Sequence, residues 1–258
     1  KMARKVRRAN VLSTTRISPH LQRIVVGSEE FADFPQDAKG AYVKVLLPHA
    51  GESKVELDLH AEHPALMRSY TIRDINPING AITLDFVVNQ HQGVATNWAQ
   101  NACVGDEVGI AGPGPKKLTD FTQTHYLMLA DLTSVNAING YLQALPQDAT
   151  VDVIIHVADK ADIIELEQIE AHSQHSVEWL VTDEPETDLL DQVTRLCAGY
   201  NAQPMVFMAL EANLVKAIRR LITSSFEIDR EHIVASAYWK RGIDADGLKV
   251  EKQQQSRA

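Results

Sequence analysis

Apolar positions in the first half of the chain come in short, closely spaced runs. Residues 21–26, 41–47, 67–73, 81–88 and 107–111 are apolar or alternate apolar with polar, the period of a strand with one buried face. Turn-forming clusters separate them: Asp33-Phe-Pro35, Pro48-His-Ala-Gly51, Asn76-Pro-Ile-Asn-Gly80 and Val104-Gly-Asp106. Asn79-Gly80 between two such runs is the strongest hairpin signal in the chain. Closely spaced strands with one short helical stretch predict an antiparallel β-barrel. From Thr124 the rhythm changes. Apolar runs at 125–130, 151–158, 177–181 and 205–210 alternate with helix-like stretches at 135–145, 188–197 and 212–222, which predicts an α/β domain with a parallel sheet. The expected domains are 1–118 and 119–258, and the polar stretch after Leu248 reads as a frayed tail or a solvated helix.

Composition narrows the possible functions. At 258 residues, 45% hydrophobic and 23% charged, the chain supports two globular domains, each with its own core. No apolar run reaches the roughly 18 residues of a membrane span, so no membrane insertion is expected. The basic stretch from Lys1 to Arg8 leads into polar residues, not a signal-peptide core, and the expected location is cytoplasmic. Acidic residues outnumber basic ones, 34 to 25, for a net charge of −9, which argues against nucleic acid as a partner. Cys103 and Cys197 have no second ligand nearby in sequence, so no iron–sulfur or zinc site follows from their spacing. An electron-carrying protein of this composition needs an organic cofactor. His60 and His63 have a ligand-like spacing but read as solvated loop residues. No catalytic triad is apparent.

Two segments carry candidate chemistry. In Arg68-Ser-Tyr-Thr71, strand alternation puts Arg68 and Tyr70 on one face. A guanidinium suits a pyrophosphate and an aromatic suits a flat ring; equally, the run could be a surface Arg beside a half-buried Tyr. The segment from His91 to Trp98 lies between a strand and a short helix. Gly93 there permits an unusual turn, and Thr96 suits a cap or first-turn position. A helix that starts here aims amides at a bound anion such as a diphosphate. Trp98 reads as part of the barrel wall.

Together with Gly112-Pro-Gly114, these segments resemble the siderophore-interacting protein family of FAD-dependent ferric-siderophore reductases, relatives of the ferredoxin reductases. The likeness runs in order through Tyr42-Val-Lys-Val-Leu-Leu-Pro48, Arg68-Ser-Tyr-Thr-Ile-Arg73, Leu84-Asp-Phe-Val-Val88, Gly93 to Ala99, Gly105-Asp106 and Ile110-Ala-Gly-Pro-Gly114. It resumes at Leu129-Ala-Asp-Leu-Thr133 and closes at Ala237-Tyr-Trp-Lys-Arg-Gly242. The resemblance implies FAD held by Arg68, Ser69, Tyr70 and Thr71, with His91, Ala95 and Thr96 on the diphosphate. It further implies contacts from Asp85, Val88, Gly93 and Val94, and from Asp131, Thr133, Tyr238 and Trp239 in the second domain. Arg73 matches the family run but reads as a surface charge. Electrons would come from NAD(P)H or reduced ferredoxin and pass to a ferric siderophore, with Lys44, Lys240 and Arg241 forming a basic mouth for an anionic complex. Electron transfer requires proximity more than acid–base catalysis, so no catalytic side chain is expected.

The departures from the family pattern fall at two places. Asn89 stands where the family usually has histidine, and Gly93-Val94 where it often has Gly-Pro. In the second half, Ala130-Asp-Leu-Thr-Ser-Val-Asn136 and Ala209-Leu-Glu211 each lack a family glycine, which bears on the donor site. Asp131 and Thr133 are either cofactor contacts at the carboxyl end of a strand or a capped strand–helix turn. Two other functions fit the same residues: a flavin reductase for another acceptor, or a flavin- or siderophore-binding module without turnover.

Overall fold

A computed structural model describes residues 5–166 and 174–257. The chain divides into two compact units, Lys1–Lys116 and Lys117–Ala258.

The first unit is a closed antiparallel barrel. Its strands are β1 (Val6–Ser18), β2 (Leu21–Gly27), β3 (Tyr42–Leu47), β4 (Leu66–Ile75), β5 (Ile82–Val87) and β6 (Glu107–Ala111), in the order β1-β2-β5-β4-β3-β6. Alternation fills the interior with Ile24 and Val26 from β2, Val43 and Val45 from β3, Ile72 from β4, and Leu84 and Phe86 from β5. Five of the six strands lie on the apolar runs. The longest, β1, does not: its inward positions are Arg7, Ala9 and Val11, and a register shift follows Val11. That face is too weakly apolar to stand out against its polar neighbours. The Asn79-Gly80 connection is also longer than a two-residue hairpin, since the Asn76 amide donates to the Ala81 carbonyl across it. Gly80 has φ 71° and a Cβ there would lie 2.5 Å from the Phe31 carbonyl oxygen, so both conformation and space require glycine. Between β5 and β6 runs α1 (Val94–Asn101).

The second unit is a five-stranded parallel sheet. Its strands are β7 (His125–Ala130), β8 (Thr150–Val157), β9 (His175–Val181), β10 (Met205–Glu211) and β11 (Ile233–Trp239), in the order β11-β10-β7-β8-β9. Tyr126, Met128 and Ala130 of β7 face one core with α2 (Val135–Leu142); Leu127 and Leu129 face the other with α3 (Pro185–Ala198) and α4 (Ala212–Ser225). Both faces are covered, which explains the continuous apolar runs of β7 and β10. The last helix, α5 (Ala245–Gln255), forms from the polar tail, started by the Asp244 side chain accepting from the Gly247 amide. No helix among the described residues is long and apolar enough to cross a membrane.

Candidate functional site

The β3–β4 register orients the Arg68–Thr71 run. Val45 opposes Arg68 and Val43 opposes Tyr70, while Lys44 opposes Ser69 and Tyr42 opposes Thr71. Directly opposed residues share a face, so Arg68 and Tyr70 lie on the inner face and Ser69 and Thr71 on the outer. The Tyr70 ring sits 4.1 Å from Phe86, which lies 5.6 Å from Trp98 of α1. This aromatic series connects β4 through β5 to the helix. Burial pushes the Tyr70 phenol well above its ordinary range, against the opposing pull of the Arg68 cation, so the ring stays neutral. Arg68 donates to the Met67 carbonyl at 2.8 Å. Trp98 packs against the barrel core, as expected.

The turn from β5 into α1 is built by three residues. Asn89 has φ 61°, a left-handed conformation asparagine tolerates well. Its side chain donates to Pro19 O at 3.2 Å and accepts from the Gln100 amide. Thr96 does not cap the helix; its hydroxyl donates to the Val87 carbonyl at 2.8 Å and ties α1 to β5. Gly93, the residue before the helix, has φ 177°, an extended backbone open to any residue, and a Cβ there would make only ordinary contacts. The unusual turn assigned to Gly93 is therefore absent. What glycine contributes is the lack of a side chain: α1 starts with no side-chain cap, so no capping side chain takes up its first-turn amides. His91 is exposed in the same turn and Ala95 is buried. Val94 is partly exposed.

Three further residues of the barrel are buried. The Asp85 carboxylate is buried and takes both guanidinium bonds of Arg23, at 2.8 and 3.0 Å, across the directly opposed β2–β5 pair. This pair ties β2 to β5 in the barrel wall. Val88 lies wholly inside the barrel core. Arg73 is buried, 7% exposed, where the β4–β5 register shifts, and is not a surface charge.

In the second unit the carboxyl ends of β7, β10 and β11 are laced together. Asp131 accepts from the Thr133 amide at 2.8 Å and the Thr133 hydroxyl at 2.5 Å with one oxygen, and from Trp239 Nε1 at 2.8 Å with the other. Burial raises its pKa, partly offset by these donors. The Ser134 hydroxyl donates to Ala209 O at 2.6 Å. Glu211 caps α4 through the Asn213 and Leu214 amides and accepts the Arg241 amide at 3.2 Å. Of the two readings of Asp131 and Thr133, the geometry is that of the capped turn, and the Trp239 indole N–H is already committed to it. The carboxylates thus close the ends of β7 and β10, next to Ala130 and Leu210, which stand where the family has glycine. Tyr238 is half-buried with Lys117 Nζ 6.0 Å from its ring.

The three cations proposed for an anionic complex each have a neighbour within their own unit. Lys240 is paired with Glu251 of α5 at 2.7 Å, so its charge is largely spent within the unit. Arg241 is exposed and 3.9 Å from Glu186. Lys44 bonds the Ser69 hydroxyl and lies 5.8 Å from the Tyr42 ring. Tyr42 itself, not among the residues singled out from sequence, covers Gly114 so closely that a Cβ there would lie 2.1 Å from the ring. Its signal in the sequence is its place at the head of the family-like run 42–48, which assigns it no role. The residues of the barrel fit a planar cofactor with a diphosphate: a guanidinium, two hydroxyls, uncapped helix amides and an aromatic series.

Comparison with known proteins follows the same division. Residues 10–117 match the model of the siderophore-interacting FAD-binding domain, and residues 123–242 that of the siderophore-interacting protein. Ferric vibriobactin reductase ViuB of Vibrio cholerae is 29% identical over 247 residues, 92% of this chain and 90% of that protein. The crystal structure of the siderophore-interacting protein SipS from Aeromonas hydrophila superimposes with a TM-score of 0.83 at 27% identity, covering 99% of both chains. The ferredoxin reductase of carbazole 1,9a-dioxygenase shares the fold, with a TM-score of 0.69 at 14% identity over 90% of this chain and 67% of that one. With both halves matched in order by its domain models, the chain belongs to the siderophore-interacting protein family.

Proposed function

We propose that the barrel unit binds FAD and that the protein uses it to reduce ferric siderophores. The observation that carries this reading is the aromatic series Tyr70–Phe86–Trp98, which links the Arg68 face of β4 to the uncapped start of α1. Arg68 supplies a planar, permanently charged donor for the diphosphate. The amides of Val94, Ala95 and Thr96 supply neutral donors and the positive end of the helix dipole. Neutral Tyr70 supplies an aromatic surface, and Ser69 and Thr71 hydroxyl and backbone groups. Bound FAD would supply the means to accept electrons from a donor and pass them to iron one at a time. A ferrous ion is held less tightly than ferric iron by the oxygen ligands of a siderophore, so reduction frees the metal. The relative ViuB, named a ferric vibriobactin reductase, supports the substrate class.

The electron source in this reading is NAD(P)H or reduced ferredoxin. The carboxylates of Asp131 and Glu211 occupy the strand ends of the second unit, and negative charge there disfavours the phosphates of a nicotinamide cofactor. Lys44 on the barrel unit is the cation proposed to meet an anionic ferric complex. Anaerobic reduction of the FAD-loaded protein with NADH, NADPH and reduced ferredoxin in turn, followed by ferric chelates and a ferrous trap, tests the reading. Flavin that is reduced but passes electrons to no ferric chelate would refute it.

A further inference from the structure

Resting on the FAD site proposed above, we propose that Arg7 is a positioning residue for that site, acting through the Gly112–Gly114 turn and Tyr42. Arg7 stands on β1 opposite Ile110 of β6 and points inward with Ala9 and Val11. It is 5% exposed, and its guanidinium reaches three acceptors at once. Nε donates to Glu30 O at 3.1 Å, Nη1 to Gly112 O at 3.1 Å, and Nη2 to Asp33 Oδ1 at 3.2 Å, while the Phe34 ring covers it at 5.1 Å.

The bond to Gly112 O begins a short mechanical chain. Gly112 has φ 121°, a conformation that L side chains rarely adopt, so its carbonyl direction is set by local structure that only glycine allows. Two residues on, the Gly114 amide donates to Tyr42 O at 2.8 Å, and the Tyr42 ring lies against Gly114 with no room for a methyl group. Tyr42 opposes Thr71, and Lys44 beside it opposes and bonds Ser69. The outer face of the Arg68–Thr71 run is therefore bounded by a ring whose seat is fixed from β1. A buried guanidinium is costly unless its donors are used, and here a carbonyl of the turn takes one of them. This gives Arg7 a reason to be inside the barrel that apolar packing alone does not provide.

The test is a double-mutant cycle on the full chain, read as FAD dissociation constant and visible circular dichroism of the bound flavin. Arg7→Gln releases the turn from β1, and Gly114→Ala displaces the Tyr42 ring. Arg7→Gln is expected to weaken FAD binding about tenfold, the loss of one charge-assisted hydrogen bond, Gly114→Ala by a similar factor through the displaced ring, and both to alter the flavin dichroism at saturation. The double variant is expected to be no worse than either single, because both cut the same chain. Asp33→Asn removes the exposed ion pair, leaves both carbonyl bonds, and is expected to keep FAD affinity within about twofold. If Arg7→Gln does not fold, Arg7→Lys, which keeps the charge but not the three-way fork, replaces it in the cycle. Wild-type affinity and dichroism in the Arg7 variant overturns the proposal, as does full additivity with Gly114→Ala. An Asp33→Asn effect as large as that of Arg7→Gln assigns the role to the ion pair and overturns the Gly112 route. Wild-type protein that takes up no FAD overturns the parent reading as well, which separates the two failures.

Discussion

Arg68 and Tyr70 share a face because β4 alternates, and the register opposite Val45 and Val43 fixes which face that is. Replacing Arg68 with alanine is expected to weaken FAD binding by roughly ten- to a hundredfold, the range for a hydrogen bond to a charged group. Arg68→Lys should fall between, since lysine keeps a point charge and loses the fork. Fluorescence quenching on titration with FAD measures both, and unchanged affinity in Arg68→Ala would move the diphosphate elsewhere. The two cysteines differ as sharply. Cys103 is exposed, whereas burial pushes the Cys197 thiol up to about 11. At pH 8 a thiol reagent should label one cysteine in the folded protein and two after denaturation; rapid labelling of Cys197 in the native state would contradict its burial. At this scale the sequence was legible where a residue acts with its neighbours, as in Arg68–Thr71. It was not where the partner is remote. Asp131 meets Trp239 across 108 positions, and the Lys240 charge is met by Glu251 only once α5 forms.

Elements were legible in proportion to how apolar their buried face is. The parallel strands β7 and β10 are covered on both sides and announce themselves; β1 turns Arg7 inward and was hidden, and β11 was visible only as a motif at its end. What joins the elements is polar and long-range. Asp152 at the amino end of β8 bonds His125 of β7 at 3.1 Å, Ser176 of β9, and Tyr200 after α3 at 2.9 Å. The His125 contact first, then Ser176 and Tyr200, hold its carboxyl down to about 2, against the raising effect of burial. A carboxyl depressed in the folded state contributes stability that is full above its ordinary value of 3.8 and lost as pH falls toward about 2. Urea unfolding of wild type and Asp152→Asn should therefore show a gap that is constant above about pH 5 and closes across that window. A gap that widens on acidification would mean that the carboxylate is not what joins these strands.

At the scale of the molecule, a barrel followed by an α/β unit was readable from the change of hydrophobic period near residue 124, because period 2 and the strand–helix alternation are imposed by packing itself. The proposed flavin site lies mainly within the first of these rhythms, and for that reason its candidate residues could be proposed from neighbouring positions in the sequence. The strand ends of the α/β unit were harder to read, since Asp131 and Glu211 hold the ends of β7 and β10 through hydrogen bonds from remote residues, Trp239 and Arg241. This difference yields a prediction about the chain as a whole. A ligand that binds only the folded state raises the opening free energy of the segments it touches, by about 2.7 kcal/mol at a hundredfold excess over the dissociation constant. Saturating FAD should slow amide hydrogen exchange in β4 and in the first turn of α1, where the amides of Val94, Ala95 and Thr96 lack a side-chain cap. Exchange at the amino ends of β7, β8 and β9, held by Asp152, should stay unchanged. Mass-spectrometric exchange with and without FAD resolves these segments. Protection confined to the α/β unit would take the flavin off the barrel, and protection of β4 without α1 would leave the diphosphate to Arg68 alone.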